Sequence, residues 1–529
     1  MSHDIKVTFL GTTSGGGPTE TRNCSSLVVD VLGNGSLWMV DCAEGTVRQF
    51  VNQPNRPGQS RLKIGRVTKI FITHMHADHT MGTLTFLRTV LGAPPAPTKS
   101  NATIPRPNRR PPQVEVYGPR GIRRMLRMLW YTTHTHSERS FAVHELLFPG
   151  QEPSVPADVE DDSTNPVDVR RESECVGRDI WCTEDGFWRD VVSHNPKYNH
   201  YGAVVDAGPI LHRDPCIGYI IREVPPTPFH PTSRLPRKLV ILGDTYDPSP
   251  LIPLIHADPV YALALPEIDV HNTGTRVRVP VSLLVHEATD AYIPRRIDPD
   301  ERTGRNRTQE GVLQKIVERG HSTPAMAGAF ARRVGAERLV MNHIGARFPA
   351  PSQHGPRMRE RFREACMREI ERQAAEAWVP ANGRHAQVRP QAAWDYLSIV
   401  IPPNPRRAPP DEGDETDERP AEQEDHEREE EDEEDERESV ISVDVEEVDT
   451  EAIVAGPSGV IADIEMHSSS VSVHYERGRA RGGRGRGRGR NGRGYDRGGV
   501  HGGGRGSGRG RGYRGSGEAR GSYRGGRPL

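Results

Sequence analysis

The chain has 529 residues, room for more than one domain, and a formal net charge of only −2, so it is neither a uniformly basic nor a uniformly acidic protein. Its hydrophobic content of 34% is low for a globular protein, and glycine and proline together make up nearly a fifth of it. Six scattered cysteines with no CxxC pair exclude a disulfide scaffold and point to a reducing compartment.

The opening MSHDIKVTFLG enters a strand pattern without a basic leader and a long apolar core, so no secretory signal is expected. Strand-like runs then recur as SSLVVDV, LWMVDC, VTKIFITH, VEVYG, CIGYIIR, KLVILGD, SLLVHEA, RLVMNHI and YLSIVI. Helical spacing alternates with them. TMGTLTFLRTVLG places Met81, Leu84, Leu87, Val90 and Leu91 on one face and closes at Gly92; GIRRMLRMLWY and TPAMAGAFARRVG behave alike, and 356–378 reads as a long charged amphipathic helix. Mixed strands and helices over 1–402 predict a layered α/β domain. No run approaches the roughly 18 apolar residues of a membrane span.

Two stretches interrupt this domain. Residues 93–113 carry too much proline for regular structure, and 148–200 read as a polar, irregular surface excursion. Beyond 402 the pattern stops. Residues 411–450 hold 23 acidic side chains against three arginines, within an acidic linker 403–476. Residues 477–529 hold 16 arginines, no lysine, and only Asp496 and Glu518 as acids. Neither block has the apolar surface to offset its ordering entropy, and 403–529 is expected to be disordered. Arginine forks and stacks on bases while glycine keeps the chain pliable, so the Arg-Gly tail, with Tyr495, Tyr513 and Tyr523, is expected to contact RNA without sequence preference. That tail also motivates a nuclear, or nuclear and cytoplasmic, location.

The chemistry concentrates in THMHADHTMG. His74 and His76 are two apart at a strand end and point the same way, and the turn that follows presents Asp78 and His79. A cysteine-free set of imidazoles and carboxylates fits an open catalytic centre, with two divalent ions, better than a closed structural zinc site. His134 and His136 share the HxH spacing but lack the Asp-His and the strand context, and are read as ordinary surface histidines. Further ligands must come from other strand ends. His212 closes VVDAGPILH, Asp244 follows KLVIL, and His343 follows RLVMN. GTTSGGGP is not a phosphate loop, since Gly17 stands where GxxxxGK[ST] requires lysine.

HxHxDH followed by Gly82 resembles the metallo-β-lactamase superfamily, and LGTTSGGGPTETRN, HEAT at 286–289, GHST at 320–323 and NHIGARF at 342–348 are similar to its ribonuclease Z family. The resemblance implies an αββα sandwich. It implies two Zn²⁺, other divalent ions being able to substitute, with His74, His76 and His212 on one, Asp78, His79 and His343 on the other, and Asp244 bridging. Asp78 and His321 are the implied catalytic residues, His321 protonating the departing 3′ oxygen; Arg22 and Asn23 are implied substrate contacts. Asp41 and Glu287 match supporting positions and also read as buried structural carboxylates. The implied partner is precursor tRNA, cut at its 3′ trailer, and relatives form homodimers.

Two departures stand out. Glu20 occupies a position where the family carries lysine, and only 31 residues separate His212 from Asp244, too few for a protruding tRNA-gripping arm. The second feature also fits a phosphodiesterase, or a thioester or lactone hydrolase, acting on a small substrate. A third class, an RNA-associated protein with a decayed hydrolase domain, conflicts with the complete ligand set.

Overall fold

The computed structural model describes residues 3–55, 60–94, 111–159, 165–195, 201–225, 234–257, 279–352, 356–378 and 389–404. These lie within one compact unit, Met1–Pro420. Most of the proline-rich 93–113 stretch, the acidic linker beyond 404 and the Arg-Gly tail fall outside the described residues. Among the described residues no helix is long and apolar enough to cross a membrane.

Two sheets are stacked face to face. The first contains β1 Ile5–Gly11, β2 Ser26–Asp30, β3 Leu37–Val40, β4 Val67–Phe71, β5 Val114–Pro119, β6 Phe141–Leu147, β7 Glu174–Cys175, β8 Asp179–Trp181 and, at its other end, β16 Ser398–Ile401. The second runs β15 Gln391–Ala392, β14 Leu339–Asn342, β13 Leu283–Glu287, β12 Lys238–Ile241, β11 Cys216–Val224, β10 Gly202–Ile210 and β9 Trp188–His194.

The strands read as unbroken apolar runs because both faces of each sheet are covered. Alternate residues split between two cores. Leu27, Val29, Trp38, Val40 and Phe71 meet Leu239, Ile241, Leu283 and Val285 of the second sheet in a central core. Val28, Leu37, Met39, Ile70 and Ile72 face the other way, onto the helices Thr83–Leu91 and Ile122–Thr132. On the far side Val240, Leu284 and Met341 pack against the helices Pro324–Arg333 and Arg357–Ala377 through Phe330, Met367 and Ile370. The order is helix, sheet, sheet, helix: the expected αββα sandwich.

The stretch read as a surface excursion is regular over much of its second half. It supplies β7 and β8 to the first sheet and β9 to the second, and Trp188 is buried with its indole N–H donating to Leu147 O and Ile180 O. Its apolar residues come in runs of at most three between polar ones, so no periodicity shows until a neighbouring strand pairs with them.

Direction is what positions the site. β3 and β4 are parallel to each other, as are β12, β13 and β14, so the residues following all five emerge at one edge. There the sheets are stitched by Ile217 N–H donating to Thr73 O at 2.9 Å and Tyr219 O–H donating to Ile72 O at 2.7 Å. Elsewhere Arg237 ties the sheets: it donates to Ile401 O at 2.6 Å and, with Arg234, grips the buried Glu223. Burial would raise the Glu223 carboxyl, but hydrogen bonds from Arg234 and Arg237 outweigh it and hold the group at about 2, against an ordinary 4.5.

Glu223→Ala strands two buried guanidinium groups and is expected to cost about 3–5 kcal/mol in a denaturant titration. Because the native carboxyl lies below its unfolded value, its contribution is complete above pH 4.5 and is lost as pH falls towards 2. The acid limb of the stability curve should therefore be shallower in Glu223→Gln than in the wild type.

Candidate metal centre

Close approach at the shared edge depends on two glycines. A Cβ on Gly243 would lie 2.6 Å from both Thr73 Cβ and Cys216 Sγ, so only glycine lets the end of β12 deliver Asp244 beside the end of β4. A Cβ on Gly82 would lie 1.8 Å from Ala43 O, so the turn after the histidines can lie against the backbone that follows β3.

The structure brings all seven ligand candidates together. Ligand atoms of His74, His76, His212 and Asp244 lie within 4.8 Å of one another, as do those of Asp78, His79 and His343, and those of Asp244, His321 and His343. His134 and His136 are exposed and belong to no such group among the described residues. His343 adopts φ 53° and Asp41 φ 57°, a left-handed conformation uncommon for such residues and held here by the packing around them.

Each ring is aimed by its second nitrogen or a neighbour. Asp41 accepts from Thr73 N–H at 2.9 Å and from His79 Nδ1 at 2.7 Å, which fixes His79 with Nε2 facing the cluster. His212 Nδ1 donates to Gly320 O at 2.6 Å, and His343 Nδ1 meets Thr289 Oγ1 at 2.9 Å. His76 Nε2 is 2.7 Å from Asp214 Oδ2, leaving Nδ1 as its ligand atom. Asp78 Oδ2 accepts from Gly15 N–H at 2.9 Å, so the glycine-rich loop crosses the centre as a tight turn.

These residues fit a divalent cation. Among the described residues His74 Nε2 and His212 Nε2 are buried with no hydrogen-bond partner, and His79 Nε2 faces His343 Nε2 at 3.2 Å. A shared cation would satisfy these nitrogens and take the place of the proton between His79 and His343, and nitrogen and carboxylate donors suit zinc. Burial opposes charge on Asp244, but His343, His79 and His74 outweigh it and hold the carboxyl well below its usual range. Burial and the neighbouring His79 keep His74 neutral near pH 7. His79, pulled up against its own burial by Asp244 and Asp41, holds a proton that a metal ion displaces.

The metallo-beta-lactamase superfamily model matches residues 19–146. The chain is 28% identical over 372 residues to the Bos taurus protein named zinc phosphodiesterase ELAC protein 1, covering 66% of this chain and 88% of that one. It is 25% identical over 377 residues to ribonuclease Z of Prochlorococcus marinus strain NATL1A, covering 66% and 91%. The crystal structure of the short form of human tRNase Z aligns with a TM-score of 0.42 at 25% identity, over 75% of this chain and 99% of that one.

At the end of β13, HEAT divides by strand alternation. His286 turns away and packs on Phe330, while Glu287 is buried and accepts from Thr245 N–H at 2.7 Å and from Thr289 Oγ1. Glu287 Oε1 also holds His321 Nδ1 at 3.0 Å, leaving Nε2 of that ring for a reacting group. Burial works against a charged His321, but Glu287 and Asp244 overcome it and raise its pKa.

The expected substrate contacts at Arg22 and Asn23 require correction. Arg22 is 2% exposed and donates to Phe348 O, Thr12 Oγ1 and Ala393 O. Asn23 is buried, its side chain donating to Glu44 O and its backbone N–H to Asp395 Oδ2. Both pin the loop to the body of the domain and are closed to a ligand. Glu20 pairs with Arg359 at 2.7 Å and Arg363 at 2.9 Å on the long helix. Asp214 escaped the sequence reading, because a lone polar residue in a loop gives no signal of what it orients; Thr289 and Gly320 lie within HEAT and GHST, but the motifs do not say which ring each one aims.

Replacing Asp41 by alanine frees the His79 ring and is expected to weaken zinc binding about 10- to 100-fold in a chelator competition titration. A His134→Ala/His136→Ala double variant should bind the metal as the wild type does.

Proposed function

We propose that this chain is a zinc-dependent endoribonuclease of the ribonuclease Z type, cutting the 3′ trailer from precursor tRNA and leaving a tRNA 3′-hydroxyl. The observation that carries the reading is the convergence of the seven ligand candidates with a further histidine, His321, oriented from behind by buried Glu287. Relatives named ribonuclease Z and zinc phosphodiesterase support the substrate class.

In this proposal the chain would hold two zinc ions, one through His74, His76 and His212 and the other through Asp78, His79 and His343, with Asp244 available to both. Bound divalent ions lower the pKa of a water towards about 7 and offset the charge that builds on a phosphate. The chain does the rest. Asp78, anchored by Gly15 N–H, orients the attacking water. His321 Nε2 delivers a proton to the departing 3′ oxygen, a poor leaving group without it. Asp41, Thr289, Gly320 O and Asp214 keep the imidazoles aimed, so little reorganisation accompanies the reaction.

The short interval between His212 and Asp244 favours a second reading, hydrolysis of a small phosphodiester, thioester or lactone. In the ribonuclease reading, grip on the tRNA comes from the basic 93–113 stretch and the Arg-Gly tail, and the tail favours a nuclear location. A homodimer belongs to the same proposal.

Incubating the full-length protein with a precursor tRNA and with bis(p-nitrophenyl) phosphate, with and without chelator, separates the two readings. A single chelator-sensitive cut at the 3′ end of the tRNA is expected, and cleavage of the small diester alone would reject the ribonuclease. His321→Ala is expected to retain its metal and lose about 10²- to 10⁴-fold in rate; loss of metal in that variant would make His321 a ligand. Deleting residues 403–529 should raise KM for precursor tRNA and flatten its dependence on salt, leaving hydrolysis of the small diester unchanged.

A further inference from the structure

Beside the metal centre lies a cavity of about 330 Å³ lined by Met75, His76, Pro119, Arg120, Phe148, Gln151, Asp214 and Pro215. A larger one, about 410 Å³, is lined by the far ends of β1 and β2 and the 60–66 loop and includes none of the metal-ligand candidates. The smaller is the one that shares a wall with the chemistry, through His76 and its partner Asp214.

We infer that this smaller cavity seats the base of the first trailer nucleotide, the one that keeps the scissile phosphate after the cut. The inference rests on the ribonuclease reading. Its volume is at the lower end of ligand pockets, roughly 300–1,000 Å³, and suits one nucleotide rather than a helix. Its walls combine an aromatic ring, a thioether and two prolines with an amide and a guanidinium, the mixture that stacks a base and binds its edge and phosphate.

The cavity is also held in shape. The Phe148 ring meets Trp188 edge-on at 4.9 Å and 85°, which sets its plane. Gln151 Oε1 accepts from Phe148 N–H at 3.2 Å, and Gln151 N–H donates to Phe148 O at 3.0 Å, closing the loop on itself. Arg120 donates to Glu152 O at 2.7 Å across the same loop.

Polarity follows from His321. The His212 ring touches both His76, at 5.2 Å, and His321, at 5.0 Å, while no ring contact joins His76 to His321 among the described residues. The tRNA side carries the 3′ oxygen that His321 protonates, so its last nucleotide lies towards His321. The 5′ oxygen of the trailer stays on phosphorus, off the line between the attacking water and the departing 3′ oxygen, and the path open to its nucleotide away from His321 runs past His212 to His76 and the cavity.

The test uses full-length protein and precursor tRNAs carrying an abasic residue at the last tRNA position, the first trailer position or the second. Wild-type cleavage of the unmodified RNA checks the ribonuclease reading separately. Phe148→Ala is expected to lower kcat/KM roughly 5- to 150-fold on the unmodified RNA, with zinc content and diester hydrolysis unchanged. That loss should vanish only on the RNA abasic at the first trailer position, and Phe148→Tyr should restore activity. Since Phe148 also packs on the core, a binding measurement accompanies the kinetics. With the 3′ oxygen at the cut replaced by a methylene group, 2-aminopurine at the first trailer position should be quenched on binding to wild type and not to Gln151→Ala/Phe148→Ala. Additive losses at all three positions, or coupling at a position other than the first trailer nucleotide, would overturn the assignment while leaving the ribonuclease reading intact; failure to cut the unmodified RNA would overturn both.

Discussion

A buried imidazole nitrogen needs a partner, and at this edge the fold buries two that have none among the described residues. His74 Nε2 and His212 Nε2 lack any hydrogen bond, and the His79 and His343 Nε2 atoms confront each other. Leaving such groups unsatisfied costs about 1–3 kcal/mol each, so the arrangement is intelligible as the lining of a cation site. Everything around it serves to hold that lining open: parallel strands ending at one edge, glycines that let two sheets touch, and two residues in the left-handed backbone region.

The supporting ring matters as much as the ligands. Asp41, Glu287 and Thr289 each engage more than one group, so a single carboxylate or hydroxyl sets the orientation of two neighbours. This economy explains why Asp41 is buried in a strained conformation at the end of β3. Its carboxylate accepts from both the Thr73 backbone and the His79 ring.

The loop around Glu20 shows how a local sequence reading can misplace function. PTETRN resembles a substrate loop, yet Arg22 and Asn23 face inward and Glu20 is neutralised by two arginines of the long helix. The loop's role here is to fasten the N-terminal region to the body of the domain, and the cavity beside Phe148, from a stretch that looked featureless, is where we infer that substrate is held.

Most strands were legible in the sequence because both their faces are covered, and an unbroken apolar run needs no partner to be recognised. β6 was not, since buried His144 and Glu145 interrupt it, and β7 to β9 were not, since their apolar residues are few. The histidine-rich turn was legible because four donors within six residues have little other use. His212, Asp244 and His343 could be named from strand ends, but that they meet is a property of the tertiary structure alone. Strand direction, sheet order and the absence of a side chain at Gly243 decide it, and these are relations between segments far apart in the chain. The inward turn of Arg22, the service of Asp214 to His76 and the cavity between Phe148 and Pro119 were decided in the same way, by which surfaces close on one another once the sheets have stacked.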